Sequence, residues 1–176
     1  MNKDSHMKER IKIAGIMQES IVDGPGLRLA VFTQGCVHNC AGCHNPETHS
    51  FDAGYYVSIG EILEMLQGNS LLEGMTLSGG EPFHQGRLCG ILAERTKKMG
   101  LNVLTYTGYT YEELMYEIDF NPGWKKLLYS TDILIDGRFD INRRNLLLKF
   151  RGSENQRIID VKKSLEQNRV ILADIE

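Results

Sequence analysis

Apolar and polar positions along the chain predict strands that alternate with helices. Short apolar runs bounded by turn residues are typical of buried strands. Four such runs occur at residues 27–33, 75–77, 103–106 and 133–135. A short alternating strand is expected at residues 11–13, and further strands are expected near residues 146–150 and 170–172.

Capping residues predict where several of the intervening helices begin. Two capping boxes are present, Ser58 with Glu61 and Thr110 with Glu113. In a capping box, each of the two side chains satisfies a backbone N–H group that is free at the helix start. Proline is favoured at the first helical position, so Asn121-Pro122 predicts another helix start.

Helical spacing predicts a longer helix between residues 77 and 103. Leu88, Ile91 and Leu92 lie at the spacing of one helix face, and Gly100 follows them. Glycine commonly ends a helix because it adopts left-handed backbone conformations. A short helix is also expected after Asp160.

This order of elements predicts an α/β fold. Alternating strand and helix units imply parallel strands joined by right-handed crossovers, and four such strands are too few to close an eight-unit barrel. We predict an open partial (β/α) barrel with a mostly parallel sheet and helices on the outside, formed by residues 8–176 as a single domain. Residues 1–7 contain Ser5-His6-Met7, typical of a cloning remnant, and are expected to be a non-native or disordered tail.

Four candidate functional loops each follow a predicted strand. They are the cysteine loop at residues 36–43, Gly79-Gly80-Glu81, Thr107-Gly108 and Asp136-Gly137. The carboxyl ends of parallel strands lie at one edge of the sheet, where barrel folds carry their functional loops. We therefore expect the four loops to converge at that edge.

Composition and charge narrow the possible classes of function. The chain has 176 residues, a formal net charge of -3 and 41% hydrophobic residues. This charge argues against the basic surface of a nucleic-acid-binding protein, and no basic amphipathic stretch indicates a membrane surface. The sequence also lacks an apolar run of about 18 residues, which a membrane span needs. Since no secretory signal pattern is visible, we expect a cytoplasmic protein.

Three of the four cysteines are clustered at Cys36, Cys40 and Cys43. Cysteines of a cytosolic chain stay reduced, so this cluster indicates metal binding before disulfide formation. Thiolates hold iron–sulfur clusters, normally four of them for a four-iron cluster. With three close ligands, one iron would remain open to a small molecule, as a catalytic metal site keeps one position free.

Two alternatives involve other side chains. Structural zinc would be tetrahedral, with His38 or His44 as the fourth ligand, although the sequence contains no second ligand pair. Cys89 could supply a fourth thiolate to an iron–sulfur cluster. Its place beside Leu88 and Leu92 on a predicted helix is more typical of a cysteine that packs as a small apolar residue. We expect His38 and His44 to shape the loop rather than to bind metal.

Taken together, the motifs of this chain resemble those of a known family. The motifs are Val22-Asp23-Gly24-Pro25-Gly26, the cysteine loop followed by Asn45-Pro46-Glu47-Thr48, Gly79-Gly80-Glu81, Thr107-Gly108-Tyr109, and Phe150-Arg151-Gly152-Ser153 with Asn155-Gln156-Arg157. In this combination the chain resembles the radical S-adenosylmethionine enzymes, and among them the activating enzymes of glycyl-radical enzymes. The resemblance extends from about Ile11 to the C-terminus.

The resemblance implies two cofactors and the residues that bind them. A 4Fe-4S cluster on Cys36, Cys40 and Cys43 would form the catalytic centre. S-adenosyl-L-methionine would chelate the open iron through its methionine amino and carboxylate groups. The residues implied in binding it are Gly79, Gly80 and Glu81 at the methionine end, and Gly42, Cys43 and His44 near the nucleoside end.

The resemblance also implies an oxidoreductase activity and two partners. One electron from a flavodoxin-like donor would cleave S-adenosylmethionine to methionine and a 5′-deoxyadenosyl radical. This radical would generate a glycyl radical on the large subunit of an anaerobic ribonucleoside-triphosphate reductase. The alternatives are a radical enzyme that acts on a small molecule and a binding module whose cluster or zinc is structural.

The roles of Asp136, Arg151 and Arg157 stay open at this point. Asp136 ends a predicted strand and precedes Gly137. The two arginines would bind an anionic ligand group, face a partner protein, or be solvated charges that anchor the final strands. The sequence pattern does not distinguish between these roles.

Overall fold

The computed structural model describes residues 5–175, which form a mixed α/β structure around a seven-stranded sheet. The strands are β1 (Arg10–Ser20), β2 (Arg28–Thr33), β3 (Tyr55–Ser58), β4 (Gly74–Gly79), β5 (Asn102–Tyr106), β6 (Ile133–Asp136) and β7 (Arg157–Asp160). Their order in space is β3-β1-β2-β4-β5-β6-β7. In the described part of the chain, the edge strands β3 and β7 do not pair with each other, so the sheet is open.

The four central strands are parallel, as the alternating pattern predicted. β2 pairs with β4, β4 with β5, and β5 with β6, each in parallel. β1 and β3 are antiparallel additions at one edge, and β7 is antiparallel to β6 at the other. The α/β class and the parallel centre of the sheet are therefore confirmed.

Among residues 5–175, five α-helices follow the strands or connect them. They are α1 (Ile59–Gly68), α2 (Gly86–Lys98), α3 (Tyr111–Glu117), α4 (Pro122–Tyr129) and α5 (Val161–Gln167). Both predicted capping boxes are formed, at the starts of α1 and α3. Asn121 caps α4 by accepting the Trp124 N–H at 3.2 Å. Gly100 follows α2 with a φ of +82, in the left-handed conformation expected after a helix end.

Two of the predicted strands are wrong. Residues 146–150 form turns and bends, and Phe150 has a φ of +60, which lies outside the extended region. Leu146 and Leu147 are 76% and 92% exposed, so this apolar run faces solvent instead of joining the sheet. At residues 170–172 the structure shows a single bridge, between Leu172 and Ile159, rather than a strand.

The apolar pattern also misses two edge strands, β3 and β7. β3 contains the exposed side chains Tyr55 and Tyr56, so it lacks the apolar character of a buried strand. β7 begins at Arg157 and is held by antiparallel pairing with β6. Both strands depend on a neighbour that is distant in sequence, which a local pattern does not reveal.

The two faces of the sheet differ in character. On one face, alternate residues of the central strands join side chains from all five helices in the hydrophobic core, among them Leu29, Val31, Met75, Leu77, Val103 and Leu134. The opposite face carries Phe32, Ser78 and Tyr106, which line a cavity. Successive residues of a strand point to opposite faces, so the core and the cavity lie on opposite sides of the same strands.

The predicted N-terminal tail falls partly outside the described residues, which begin at residue 5. Ser5–Lys8 forms a short 3-10 helix. Met7 packs against the core beside Gly60 of α1, so it belongs to the folded part of the protein. Within residues 5–175, none of the helices combines the length and the apolar character that crossing a membrane requires.

Candidate iron–sulfur site

The four predicted functional loops meet at one edge of the sheet, beyond the carboxyl ends of the parallel strands. Glu81 donates its backbone N–H to the carbonyl of Gly35, before the first cysteine, at 2.9 Å. Gly108 donates its N–H to the Glu81 carboxylate at 2.9 Å. Gly137 donates its N–H to the carbonyl of Tyr109 at 3.0 Å. The predicted convergence of the loops is confirmed.

The cysteine loop leaves the end of β2 and contains two left-handed turns. Asn39 has a φ of +46 and Gly42 a φ of +72. Glycine adopts such angles without a steric penalty, and asparagine tolerates them. The turns keep Cys36, Cys40 and Cys43 within one short loop, where all three are free, partly buried thiols.

Backbone N–H groups surround the sulfur atoms of this loop. Asn45 donates its N–H to Cys43 Sγ at 3.4 Å. Burial raises the pKa of the Cys36 and Cys40 thiols, and hydrogen bonds from backbone groups oppose the rise. Such donors favour the thiolate, which is the form that binds metal, and hydrogen bonds to sulfur tune the potential of a cluster. The donor set and its surroundings fit an iron–sulfur cluster.

The loop does not present a ready site for a single metal ion. Within residues 5–175, no three His, Cys, Asp or Glu side chains are arranged to hold one ion. A four-iron cluster makes a different demand, because its thiolates bind separate iron atoms. Cys89 lies fully buried among the apolar side chains of the core, and burial raises its pKa to about 12. Cys89 therefore packs as a small apolar residue, as expected.

A buried carboxylate, that of Glu81, joins the cysteine loop to two other loops. Its side chain is 0% exposed. Its oxygens accept the Phe83 N–H at 3.0 Å, the Thr107 hydroxyl at 2.9 Å and the Gly108 N–H at 2.9 Å. The Nε2 atom of His38 lies at hydrogen-bond distance from Glu81 Oε2, at 2.7 Å. The carboxylate predicted to contact a cofactor is thus occupied by donors of the protein itself.

Gly79 and Gly80 let the turn after β4 pack directly on the backbone that enters the cysteine loop. Gly79 has a φ of +92, and a Cβ there would lie 2.6 Å from the carbonyl carbon of Phe32. A Cβ on Gly80 would collide with the carbonyl of Gly35. Since glycine alone lacks a Cβ, both positions have a structural requirement that is independent of any ligand.

Gly42 and His44 contact the segment that follows β6. A Cβ on Gly42 would lie 2.5 Å from Cδ1 of Ile141. The imidazole of His44 packs against the ring of Phe139 with a centroid separation of 5.1 Å. The cysteine loop is therefore enclosed between the turn after β4 and the segment after β6.

A cavity of about 560 Å³ opens beside the cysteine loop, against the face of the sheet that lies opposite the core. This volume falls within the range of roughly 300–1,000 Å³ that is typical of small-molecule sites. Residues that are far apart in sequence meet in its walls: Asp23, Phe32, His44, Asn45, Ser78, Tyr106, Phe150 and Arg151.

A buried arginine holds the turn that forms one wall of this cavity. Arg28 of β2 is 0% exposed. It donates to the Thr76 hydroxyl at 2.7 Å and to the carbonyls of Pro25 and Met75 at 3.0 and 2.8 Å. The Thr76 hydroxyl in turn donates to the carbonyl of Asp23 at 2.8 Å. Burial lowers the pKa of Arg28 to about 10. No motif of the sequence indicates this role for Arg28, although a charged residue inside an apolar strand is a visible signal.

Arg157 and Arg151 have different surroundings. Arg157 binds the buried carboxylate of Asp136 at 2.5 Å and the exposed carboxylate of Glu112 at 2.6 Å, so it anchors β7 to β6 and α3. Arg151 donates to the carbonyl of Gln156 at 2.8 Å. Its Nε atom is buried without a hydrogen-bond partner among the described residues, and Arg151 is one of the residues that line the cavity. Anchoring therefore accounts for Arg157, whereas Arg151 links the cavity wall to the carbonyl of Gln156.

Comparison with known proteins defines the class to which the chain belongs. Residues 22–159 match the family described as the 4Fe-4S single cluster domain. The matched segment includes all three clustered cysteines and the parallel strands. This match supports an iron–sulfur cofactor and places the chain among iron–sulfur proteins with a single four-iron cluster.

The names of similar proteins identify the family within this class. The anaerobic ribonucleoside-triphosphate reductase-activating protein of Vibrio cholerae is 34% identical over 77% of this chain and 89% of its own length. The protein of the same name from Pasteurella multocida is 35% identical over the same shares, and that from Escherichia coli K12 is 32% identical over 77% and 90%. The chain belongs to the family of the anaerobic ribonucleoside-triphosphate reductase-activating proteins.

Proposed function

We propose that this chain is a radical S-adenosylmethionine enzyme that activates an anaerobic ribonucleoside-triphosphate reductase by forming a glycyl radical on its large subunit. The observation that carries the proposal is the place of the three-cysteine loop, because the residues that directly follow it, His44 and Asn45, line the 560 Å³ cavity. The names of the relatives support the reductase as the partner.

Cys36, Cys40 and Cys43 would hold the 4Fe-4S cluster and leave one iron without a protein thiolate. When bound, the cluster supplies the electron that cleaves the sulfonium bond of S-adenosylmethionine. The protein's own task is to bind and orient the cofactor and to exclude side reactions. The aromatic rings of Phe32 and Phe150 on the cavity wall serve the exclusion of water.

The cavity has the volume of a small-molecule site, which supports S-adenosylmethionine as its ligand. Its methionine end would lie toward the turn Gly79-Gly80-Glu81, which follows Ser78 of the cavity wall. Its nucleoside end would lie near Gly42, Cys43 and His44. Arg151 lines the same cavity and offers a cationic side chain to an anionic group there, and hydrogen bonds between charged groups are the stronger ones.

Exposed apolar residues at the open side of the cavity support the proposal that the substrate is a protein. Met17, Val22 and Leu146 line the cavity and are nevertheless 54%, 73% and 76% exposed. Exposed apolar side chains of this kind mark surfaces that a partner covers. A loop of the reductase would complete the walls and present its glycine, whose Cα carries two hydrogens and no side chain.

Several finer features belong to the same proposal. The open sheet, with its helices on one face, would be the partial (β/α) barrel of radical S-adenosylmethionine enzymes, formed by residues 8–176 as one domain. A flavodoxin-like protein would deliver the electron. Activity in the cytoplasm, where such donors and the reductase occur together, stays a prediction.

An anaerobic assay tests the proposed function. Reconstituted protein, a strong reductant, S-adenosylmethionine and the reductase large subunit are mixed and frozen for electron paramagnetic resonance. We expect a glycyl doublet on the reductase and an equivalent of 5′-deoxyadenosine by chromatography. Formation of 5′-deoxyadenosine without that doublet, together with consumption of a free small molecule, would favour the small-molecule enzyme instead.

A further inference from the structure

His38 and Glu81 form a buried pair that the proposed chemistry does not use. The side chains are 3% and 0% exposed, and His38 Nε2 lies 2.7 Å from Glu81 Oε2. His38 stands between Cys36 and Cys40 in the cysteine loop, whereas Glu81 belongs to the turn after β4. The pair therefore connects the loop that carries the thiols to the end of the parallel sheet.

We propose that the His38–Glu81 hydrogen bond is a strut that holds the cysteine loop in the position required for cluster binding, with His38 as a positioning residue. The inference deepens the proposed function and rests on the part of it that assigns the cluster to the cysteine loop. It does not depend on S-adenosylmethionine or on the reductase.

The Glu81 carboxylate is held in place by residues outside the cysteine loop. Phe83, Thr107 and Gly108 all donate to the Glu81 carboxylate, at 3.0, 2.9 and 2.9 Å. Thr107 is itself oriented, since its hydroxyl accepts the Tyr109 N–H at 3.1 Å. Three donors fix the carboxylate in one orientation, and a buried carboxylate needs every such partner.

The imidazole ring of His38 packs closely against Gly108 and Tyr109. A Cβ on Gly108 would collide with the His38 ring, so glycine is required for the ring to approach. The ring of Tyr109 meets the imidazole edge-on, with centroids 4.5 Å apart. Phe83, Thr107 and Gly108 supply neutral donors to the Glu81 carboxylate. His38 adds a fourth hydrogen bond by donating its Nε2–H. A charged hydrogen bond of this kind contributes more than a neutral one.

The same carboxylate has an electrostatic consequence for the loop. Glu81 places a buried negative charge next to a residue that lies two positions from both Cys36 and Cys40. Negative charge close to a cluster opposes the addition of an electron, and the local charge and hydrogen bonds set cluster potentials. Glu81 should therefore keep the potential of a bound cluster low, in addition to holding the loop.

The first test uses the protein before cluster reconstitution and measures the alkylation rate of each cysteine by mass spectrometry. The variants are His38→Leu, which removes the donor, and His38→Gln, which retains an N–H donor of similar reach. His84→Leu is the matched control, because His84 is an exposed histidine of the turn that follows Glu81. Cys89, at 0% exposure, reports unfolding within the same sample.

We expect His38→Leu to speed alkylation of Cys36, Cys40 and Cys43 about tenfold or more, from loss of a charge-assisted hydrogen bond. Cys89 should stay protected, His38→Gln should restore much of the protection, and His84→Leu should behave as wild type. Equal rates in His38→Leu and wild type would overturn the proposal. Loss of Cys89 protection in His38→Leu at every temperature tried would also overturn it. In that case the pair would stabilise the whole fold rather than the cysteine loop.

The second test measures the reconstituted cluster. We expect His38→Leu to retain less iron and sulfide than His38→Gln. We expect Glu81→Gln, in the fraction that holds a cluster, to shift the midpoint potential to a less negative value. An unchanged potential in Glu81→Gln would remove the electrostatic part of the proposal. Neither measurement involves the reductase, so failure of the glycyl-radical assay leaves this inference standing.

Discussion

On the helix-covered face of the sheet, fully buried side chains such as Leu77 and Leu92 are surrounded by other apolar side chains. At the strand ends and on the opposite face, the fully buried groups include Arg28 and Glu81, each held by at least three hydrogen bonds. Apolar packing is non-directional, whereas a buried charge is tolerated only when its partners stand at defined positions. The first region supplies stability, and the second fixes the geometry of a loop.

The largest expected effect in the strand-end region follows from removal of a thiolate. Changing Cys36, Cys40 or Cys43 singly to Ala should abolish stable cluster binding, because two thiolates are too few to anchor four irons. Cys89→Ala should retain the cluster and lower the free energy of unfolding by about 1 kcal/mol. Iron and sulfide content after anaerobic reconstitution measures both. A Cys40→Ala protein with full iron and sulfide would disprove the ligand assignment.

A smaller change in the same region should act through the backbone. Gly80→Ala places a Cβ against the carbonyl of Gly35, so the cysteine loop must shift, and we expect most of the iron to be lost. Gly68→Ala at the end of α1 is the control, since no atom lies within 4 Å of its Cβ position. If Gly80→Ala holds its cluster but fails to change its electron paramagnetic resonance signal with S-adenosylmethionine, crowding of the ligand is the better explanation.

The helix-covered face should respond in stability rather than in cluster binding. Leu92→Ala leaves a cavity in the core and should lower the free energy of unfolding by about 2–5 kcal/mol. Leu147→Ala, at a residue that is 92% exposed, should change it by less than about 0.5 kcal/mol. Urea unfolding of the cluster-free protein measures both, and iron content per folded molecule should stay at the wild-type level. Loss of iron in folded Leu92→Ala would contradict this division between the regions.

The smallest expected effect is a pH dependence at the surface of the helical layer. Glu94 accepts hydrogen bonds from Lys126 and Lys98, which lower its pKa from 4.5 to about 2. A carboxyl with a lowered pKa stabilises the fold above its unfolded-state pKa, and this stabilisation is lost as the pH falls from about 4.5 to 2. Since Glu94 is 38% exposed, its contribution should not exceed about 1 kcal/mol.

Comparison of wild type with Glu94→Gln isolates this contribution. The difference between their free energies of unfolding should be largest above pH 5 and should vanish near pH 2. A difference that stays constant from pH 7 to 2 would show that the two lysines do not stabilise the charged form of Glu94.

Local patterns predicted the elements whose stabilising groups lie close together in sequence. The capping boxes at Ser58 and Thr110 need only the residue three positions later, and the helix that ends before Gly100 needs only its own apolar spacing. The run at residues 146–150 shows where this reasoning fails. Its apolar pattern is typical of a strand, yet a strand also requires a pairing partner, and these residues border the cavity instead.

The sequence by itself determined the α/β order, the helix starts and the three-cysteine loop, because these depend on residues within about one helical turn or one loop. Tertiary structure alone decided that β7 pairs with β6, that Arg28 reaches Thr76, and that His38 reaches Glu81. Each of these depends on groups that are more than 20 residues apart, or on a backbone approach that only the folded sheet creates. Burial then makes such partners obligatory, since a charge removed from water must be matched by donors or acceptors already in place.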